Sequence, residues 1–131
     1  MNQTLSAKSM TTTLLLAFTL LFAVSCNNSK ESLTGTWEMT EYRINSFDEH
    51  ESVKVFWTFE KNGNFSQTIK YPGKEEQETA TWTLVDPETL KISYQANRME
   101  VTWKIIYMDK ATLKVEHTTP GFFVERSFKK Q

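Results

Sequence analysis

The residues able to do chemistry are few. Cys26 is the only thiol of the 131-residue chain, so an internal disulfide and a thiolate metal cage are both excluded. A thiol can also attack a substrate or accept an acyl chain, and its position decides between these roles. The two histidines, His50 and His117, lie far apart in sequence. No G-x-S-x-G, phosphate-cradling glycine loop or H-E-x-x-H accompanies them. Asp48-Glu49-His50-Glu51 gathers donors that could be drawn around a metal. Consecutive residues rarely converge on one ion, however, and such a loop is ordinarily solvated, so neither a metal nor a cofactor is expected. Glu75-Glu76-Gln77-Glu78 and Lys129-Lys130 read as a solvated loop and a solvated tail. No catalytic constellation emerges, and the chain is not expected to be an enzyme.

The composition bounds the rest. Hydrophobic residues make up 39% and charged residues 24%, which argues against a disordered, collagen-like or polytopic membrane chain. Lys and Arg total 15 against 16 Asp and Glu, a balance with no electrostatic footprint for nucleic acid. The length suits one domain.

The position of Cys26 is informative. Leu14 to Val24 reads LLLAFTLLFAV, broken only by Thr19. At 1.5 Å per residue this run covers about half of a roughly 30 Å hydrocarbon core, too short to span it and right for a signal-peptide h-region. Ala23-Val24-Ser25-Cys26 follows and resembles the lipobox of bacterial lipoproteins, with Ala23 in place of the usual Leu. The resemblance implies cleavage before Cys26, acylation of its thiol and of the new N-terminus, and a chain that stays at its membrane, since several acyl chains exceed the two-signal need for stable anchoring. Residues 1–25 are then a signal peptide, 26–32 a polar tether, and 33–131 the folded domain. Lys30-Glu31 loosely resembles the acidic flank that sends some lipoproteins of Gram-negative bacteria to the cell surface. The implied location is the bacterial cell envelope, at the outer membrane, on its periplasmic or surface face.

From Leu33 onward the hydrophobic period is two. Eight strands are predicted: Thr36–Arg43, Val53–Glu60, Phe65–Tyr71, Glu78–Val85, Leu90–Gln95, Met99–Met108, Thr112–Thr118 and Phe122–Lys129. Asn62-Gly63, Pro72-Gly73, Asp86-Pro87 and Pro120-Gly121 mark turns between them. No gap admits a crossover helix, so the strands are antiparallel neighbours. An all-β, eight-stranded up-and-down barrel is expected, because closure removes exposed edges; a β-sandwich is the competing architecture. One end carries tight turns. The other carries the longer links Ile44–Ser52 and Pro72–Gln77 and is the natural mouth.

Strand parity then divides the interior. Toward the tight-turn end it selects bulky residues such as Trp37, Met39, Trp57, Phe59, Phe65, Trp82, Leu84, Trp103 and Phe128, enough to fill the barrel. Toward the mouth it selects Val53, Val55, Ile69, Tyr71, Ile92, Tyr94, Val101, Val115, His117, Phe122 and Val124. These candidates would line a small-molecule pocket of apolar walls, two phenols and an imidazole, or close into an ordinary core. Arg126 shares parity with Phe122, Val124 and Phe128 and should point inward. Phe56, Tyr42, Ile106 and Phe123 fall on the outward parity, where they would form a partner-binding patch, be covered by the N-terminal segment, or betray a bulge that reverses parity.

Leu33-Thr34-Gly35-Thr36-Trp37 resembles the Gly-x-Trp start of the lipocalin barrel, and the likeness extends to Phe128. The closest resemblance is to the short lipocalin-like domain of small bacterial lipoproteins. It implies that Trp37 plugs the closed end with Arg126 packed across it. The lipocalin signature before the seventh strand is absent, since Tyr107-Met108-Asp109-Lys110 stands there. Two functions stay open: a lipid-anchored protein binding a small apolar or amphipathic molecule, or a filled barrel serving as a structural or protein-interaction module with an envelope partner.

Overall fold

The computed structural model describes residues 29–45, 47–48 and 53–131, with the backbone alone at 47–48. Cys26, the h-region before it and residues 46 and 49–52, His50 among them, lie outside the described residues. The strands are β1 (Gly35–Ile44), β2 (Phe47–Asp48), β3 (Lys54–Phe59), β4 (Asn64–Tyr71), β5 (Lys74–Asp86), β6 (Thr89–Tyr94), β7 (Glu100–Met108), β8 (Thr112–Thr119) and β9 (Phe122–Lys130). β2 pairs only with the end of β1, and the other strands follow one another in chain order. Pairing of β1 with β9 closes them into an antiparallel barrel. The barrel rather than the sandwich is therefore observed, and no barrel strand keeps a free edge along its whole length.

The strand segments match those predicted except that β2 lies within the expected link Ile44–Ser52 and that β5 starts earlier. Pro72–Gln77 was expected as a loop, but β4 and β5 pair all the way to Tyr71 and Lys74. The turn is Pro72-Gly73 alone, with Gly73 at φ 79°, a conformation open to glycine. Polar, exposed residues continue a ladder as readily as apolar ones when the partner strand continues, so the hydrophobic pattern misses such an extension. The hairpin carries Glu76 and Glu78 up beside the mouth.

Three register shifts change which side chains point inward. They lie at Met39/Glu41 in β1, Leu84/Asp86 in β5 and Ile105/Tyr107 in β7. Each inserts a residue and reverses the alternation beyond it. Tyr42, expected outside, consequently packs on the core, as does Met108. Tyr107 turns out to solvent. Of the residues expected outside, Ile106, Phe123 and Phe56 remain there, with the Lys70 ammonium 5.0 Å above the Phe56 ring; Val85, Met99 and Phe122 are exposed as well.

The closed end is built from residues 29–37 and the end of β9. Residues 29–33 form a helical turn, so the second half of the expected tether is part of the fold. Leu33 is fully buried, and its carbonyl accepts the Trp37 indole N–H at 2.8 Å. The cation over Trp37 is Lys130, with its Nζ 5.1 Å from the ring and donating to the Ser32 carbonyl at 3.1 Å. Gly35 sits at φ 132°, and a Cβ there would stand 2.9 Å from Lys130 Cε. The glycine of the Gly-x-Trp start thus leaves the passage through which Lys130 crosses to the indole. The Trp37–Arg126 plug expected from the resemblance is corrected by this geometry: Trp37 plugs the end, but its basic partner is Lys130.

Candidate binding site

Above the closed end the interior is an aromatic stack. The Trp57 ring lies 4.5 Å from Phe128, 5.4 Å from Trp103 and 5.6 Å from Phe65, centroid to centroid. Phe59 meets Trp82 edge-on at 5.3 Å. These rings and Leu90, Leu113 and Ile92 are almost wholly withdrawn from solvent. Apart from the tilted Trp57–Phe128 pair these contacts are edge-to-face, which suits rings whose faces are negative and edges positive.

Arg126 caps this stack. β9 pairs it with Tyr42 of β1 and Val115 of β8, and its inward direction is as expected. Its guanidinium carbon stands 4.9 Å from the Tyr42 ring, 5.3 Å from Trp103 and 5.4 Å from Trp57. Cation–π attraction from three faces offsets part of the cost of burying the charge. Arg126 Nη1 makes a long 3.5 Å contact with Gln67 Oε1, which also accepts the Trp57 indole N–H at 2.8 Å. Arg126 Nε and Trp103 Nε1 are buried with no acceptor among the described residues. Burial lowers the Arg126 pKa from the usual guanidinium range, and the Tyr42 and Tyr94 phenols oppose that shift.

The eleven candidate lining residues divide by depth. Val55, Ile92, Val115 and Val124 are buried in the core and support the walls. Val53, Ile69, Tyr71, Tyr94, Val101 and His117 remain half-buried around the mouth. Phe122 is 44% exposed and stands at the rim rather than in the wall. Tyr94 meets Phe65 edge-on at 6.3 Å. Its hydroxyl pKa is raised, first by burial and then by the Glu78 carboxylate, while Arg126 pulls it down. His117 Nδ1 lies 2.9 Å from the Thr102 carbonyl; a carbonyl only accepts, so Nδ1 carries the proton. The imidazole also packs 5.6 Å from the Trp103 ring.

An open groove of about 390 Å³ runs along the mouth side of β4 and β5, lined by Gln67, Ile69, Glu76, Gln77 and Glu78. Gln67 belongs both to this groove and to the Arg126 cluster. Among the described residues no group of His, Cys, Asp and Glu is placed to hold a metal ion, and no helix is long and apolar enough to cross a membrane.

Sequence reasoning missed Gln67, Tyr42 and Lys130. Gln67 shares parity with Phe65 and Ile69, and a lone polar residue on an inward face is a readable signal. Lys130 likewise follows Arg126 and Phe128 on one face. Tyr42 was hidden by the bulge before it.

The description lipocalin-like domain matches residues 33–115, which is most of the barrel. The chain belongs to this lipocalin-like family. Among solved structures, a lipocalin-like protein from Bacteroides uniformis superposes with a TM-score of 0.66 at 18% identity, covering 76% of this chain and 99% of that one. A redesigned β-barrel superposes at 0.53 with 15% identity, covering 79% and 95%. Bovine odorant-binding protein, in complex with a selenium-containing odorant, superposes at 0.51 with 15% identity, covering 78% and 72%. At these identities the likeness is one of fold. No curated protein matches the chain. The lipocalin-like barrel therefore has an assigned architecture, and its function rests on the interior described above.

Proposed function

We propose that this lipocalin-like protein is a lipid-anchored cell-envelope lipoprotein that binds a small amphipathic molecule in the mouth half of its barrel, without catalysis. The observation that carries this reading is the division of the interior. The closed half is filled by its own rings, whereas Val53, Ile69, Tyr71, Tyr94, Val101 and His117 at the mouth stay half-exposed above a guanidinium. Apolar walls supply affinity in such a site, and a few polar groups orient the ligand. The bovine barrel of the same fold holds an odorant, which is in keeping with this reading. The proposed partners are the membrane, through the acyl chains, and the small ligand.

The four tryptophans all lie in the core, so intrinsic fluorescence reports on the interior. Titrating the full chain in lipid nanodiscs with decanol should give saturable quenching beyond that of partition into the lipid. Ile69→Arg, at the half-buried groove wall, should weaken it by about tenfold, because a cation placed there obstructs an apolar chain. A linear response equal to partition alone, for decanol and decanoate alike, would leave the interaction-module reading in its place.

Anchoring is supported by the h-region and the lipobox-like stretch. Cys26→Ala should leave an unprocessed precursor that takes up no labelled palmitate, since the chain has no other thiol. Wild-type labelling of the variant would refute the anchor.

A further inference from the structure

Two buried N–H donors in the barrel lack acceptors among the described residues, Arg126 Nε and Trp103 Nε1. They belong to one cluster, since the guanidinium carbon stands 5.3 Å from the Trp103 ring. None of the ion pairs among the described residues includes Arg126. Arg126 as a residue is half-buried, and a guanidinium does not escape such covering by losing its proton, so leaving it without a counter-charge is costly. Ring faces, the Tyr42 hydroxyl and the long Gln67 contact soften that cost without giving Nε an acceptor.

One chemical group suits donors of this kind. A carboxylate presents two oxygens with about four lone-pair sites, and its plane matches the guanidinium fork. Resting on the binding-barrel reading, we propose that Arg126, Trp103 and Gln67 form an anion-binding floor for the carboxylate of an amphipathic acid that enters head first. The acyl chain then lies along Ile69 and Val101 toward the mouth.

Neighbouring groups fit this assignment. The Gln67 carbonyl oxygen is occupied by Trp57 and Arg126, which leaves its amide N–H groups as donors. Burial and Glu78 hold the proton on the Tyr94 phenol, so it too can donate. The wall at the mouth carries Glu76 and Glu78. One deep cation under an acidic rim balances a singly charged head. A phosphate monoester, with a charge of about −1.5 to −2, would leave excess negative charge there.

The test compares heads on one chain. Decanoate, decanol and decyl phosphate are titrated at neutral pH against the full chain in zwitterionic nanodiscs, read by tryptophan emission and corrected for partition. Wild type should bind decanoate at least about tenfold more tightly than decanol, as a charge-assisted hydrogen bond in a buried site provides. Arg126→Met should bring that ratio toward one. Trp103→Phe keeps a ring and removes the orphan donor. It should lower the ratio severalfold, and it carries the test if Arg126→Met does not fold. Equal binding of decanoate and decanol overturns the anion floor while sparing the binding barrel. So does an undiminished ratio in Arg126→Met, or a preference for decyl phosphate over decanoate. Saturable binding of none of the three overturns both.

Discussion

Trp57→Ala should destabilise the barrel by about 3–5 kcal/mol, the cost of deleting a large buried ring that its surroundings cannot fill. The Trp57 ring touches Phe59, Phe65, Trp103 and Phe128 and is 1% exposed. Its loss opens a cavity at the centre of the stack and removes one of the three faces against which Arg126 rests. It also leaves Gln67 Oε1 without its 2.8 Å indole donor. Against a typical domain stability of about 5–15 kcal/mol this is about a fifth of the total or more. Trp57→Phe should cost less, because a ring remains and only the N–H is lost. Chemical denaturation of the two variants checks both values. A midpoint for Trp57→Ala within about 1 kcal/mol of wild type would mean that the stack collapses to refill the space.

Leu33→Ala should cost about 2–5 kcal/mol, although the residue precedes the first strand and stands at the end of what reads as a tether. Leu33 is 0% exposed, and the indole it holds through its carbonyl is equally covered. Shortening the side chain opens the closed end beneath Trp37 and loosens the helical turn whose Ser32 carbonyl receives Lys130. The same variant should speed hydrogen exchange at the Gln131 N–H, which donates to the Thr36 carbonyl at 2.9 Å beside this seal. An unchanged midpoint and unchanged exchange would show that Trp37 and Lys130 close the barrel by themselves.

Both residues show how far the chain could be read in advance. The inward place of Trp57 follows from its alternation with Val55 and Phe59 alone. Leu33 has no strand neighbours before it, so parity gave no reason to bury it. Its burial depends on a carbonyl-to-indole bond and on the C-terminal strand arriving beside it. Arg126 was legible as inward for the same reason as Trp57, but its ring partners were not. The family resemblance put it over Trp37, whereas the register of β9 against β1 places Lys130 there and Arg126 beside Tyr42.

By itself, the sequence determined the all-β class, the order and number of the barrel strands, their antiparallel pairing and the filled closed half. These follow from local properties: side chains alternate with period two, and Gly, Pro and Asn punctuate turns where β-branched and aromatic residues cannot go. Three things were decided only by the tertiary structure. The bulges brought Tyr42 inward and sent Tyr107 outward, since an inserted residue is visible only against a partner strand. The polar half of β5 became strand because β4 continued beside it. The Arg126 cluster gathered Gln67 of β4, Trp103 of β7 and Tyr42 of β1, residues far apart in the chain. Closing a sheet into a barrel fixes which strands face one another across its interior, and that relation has no trace in local sequence.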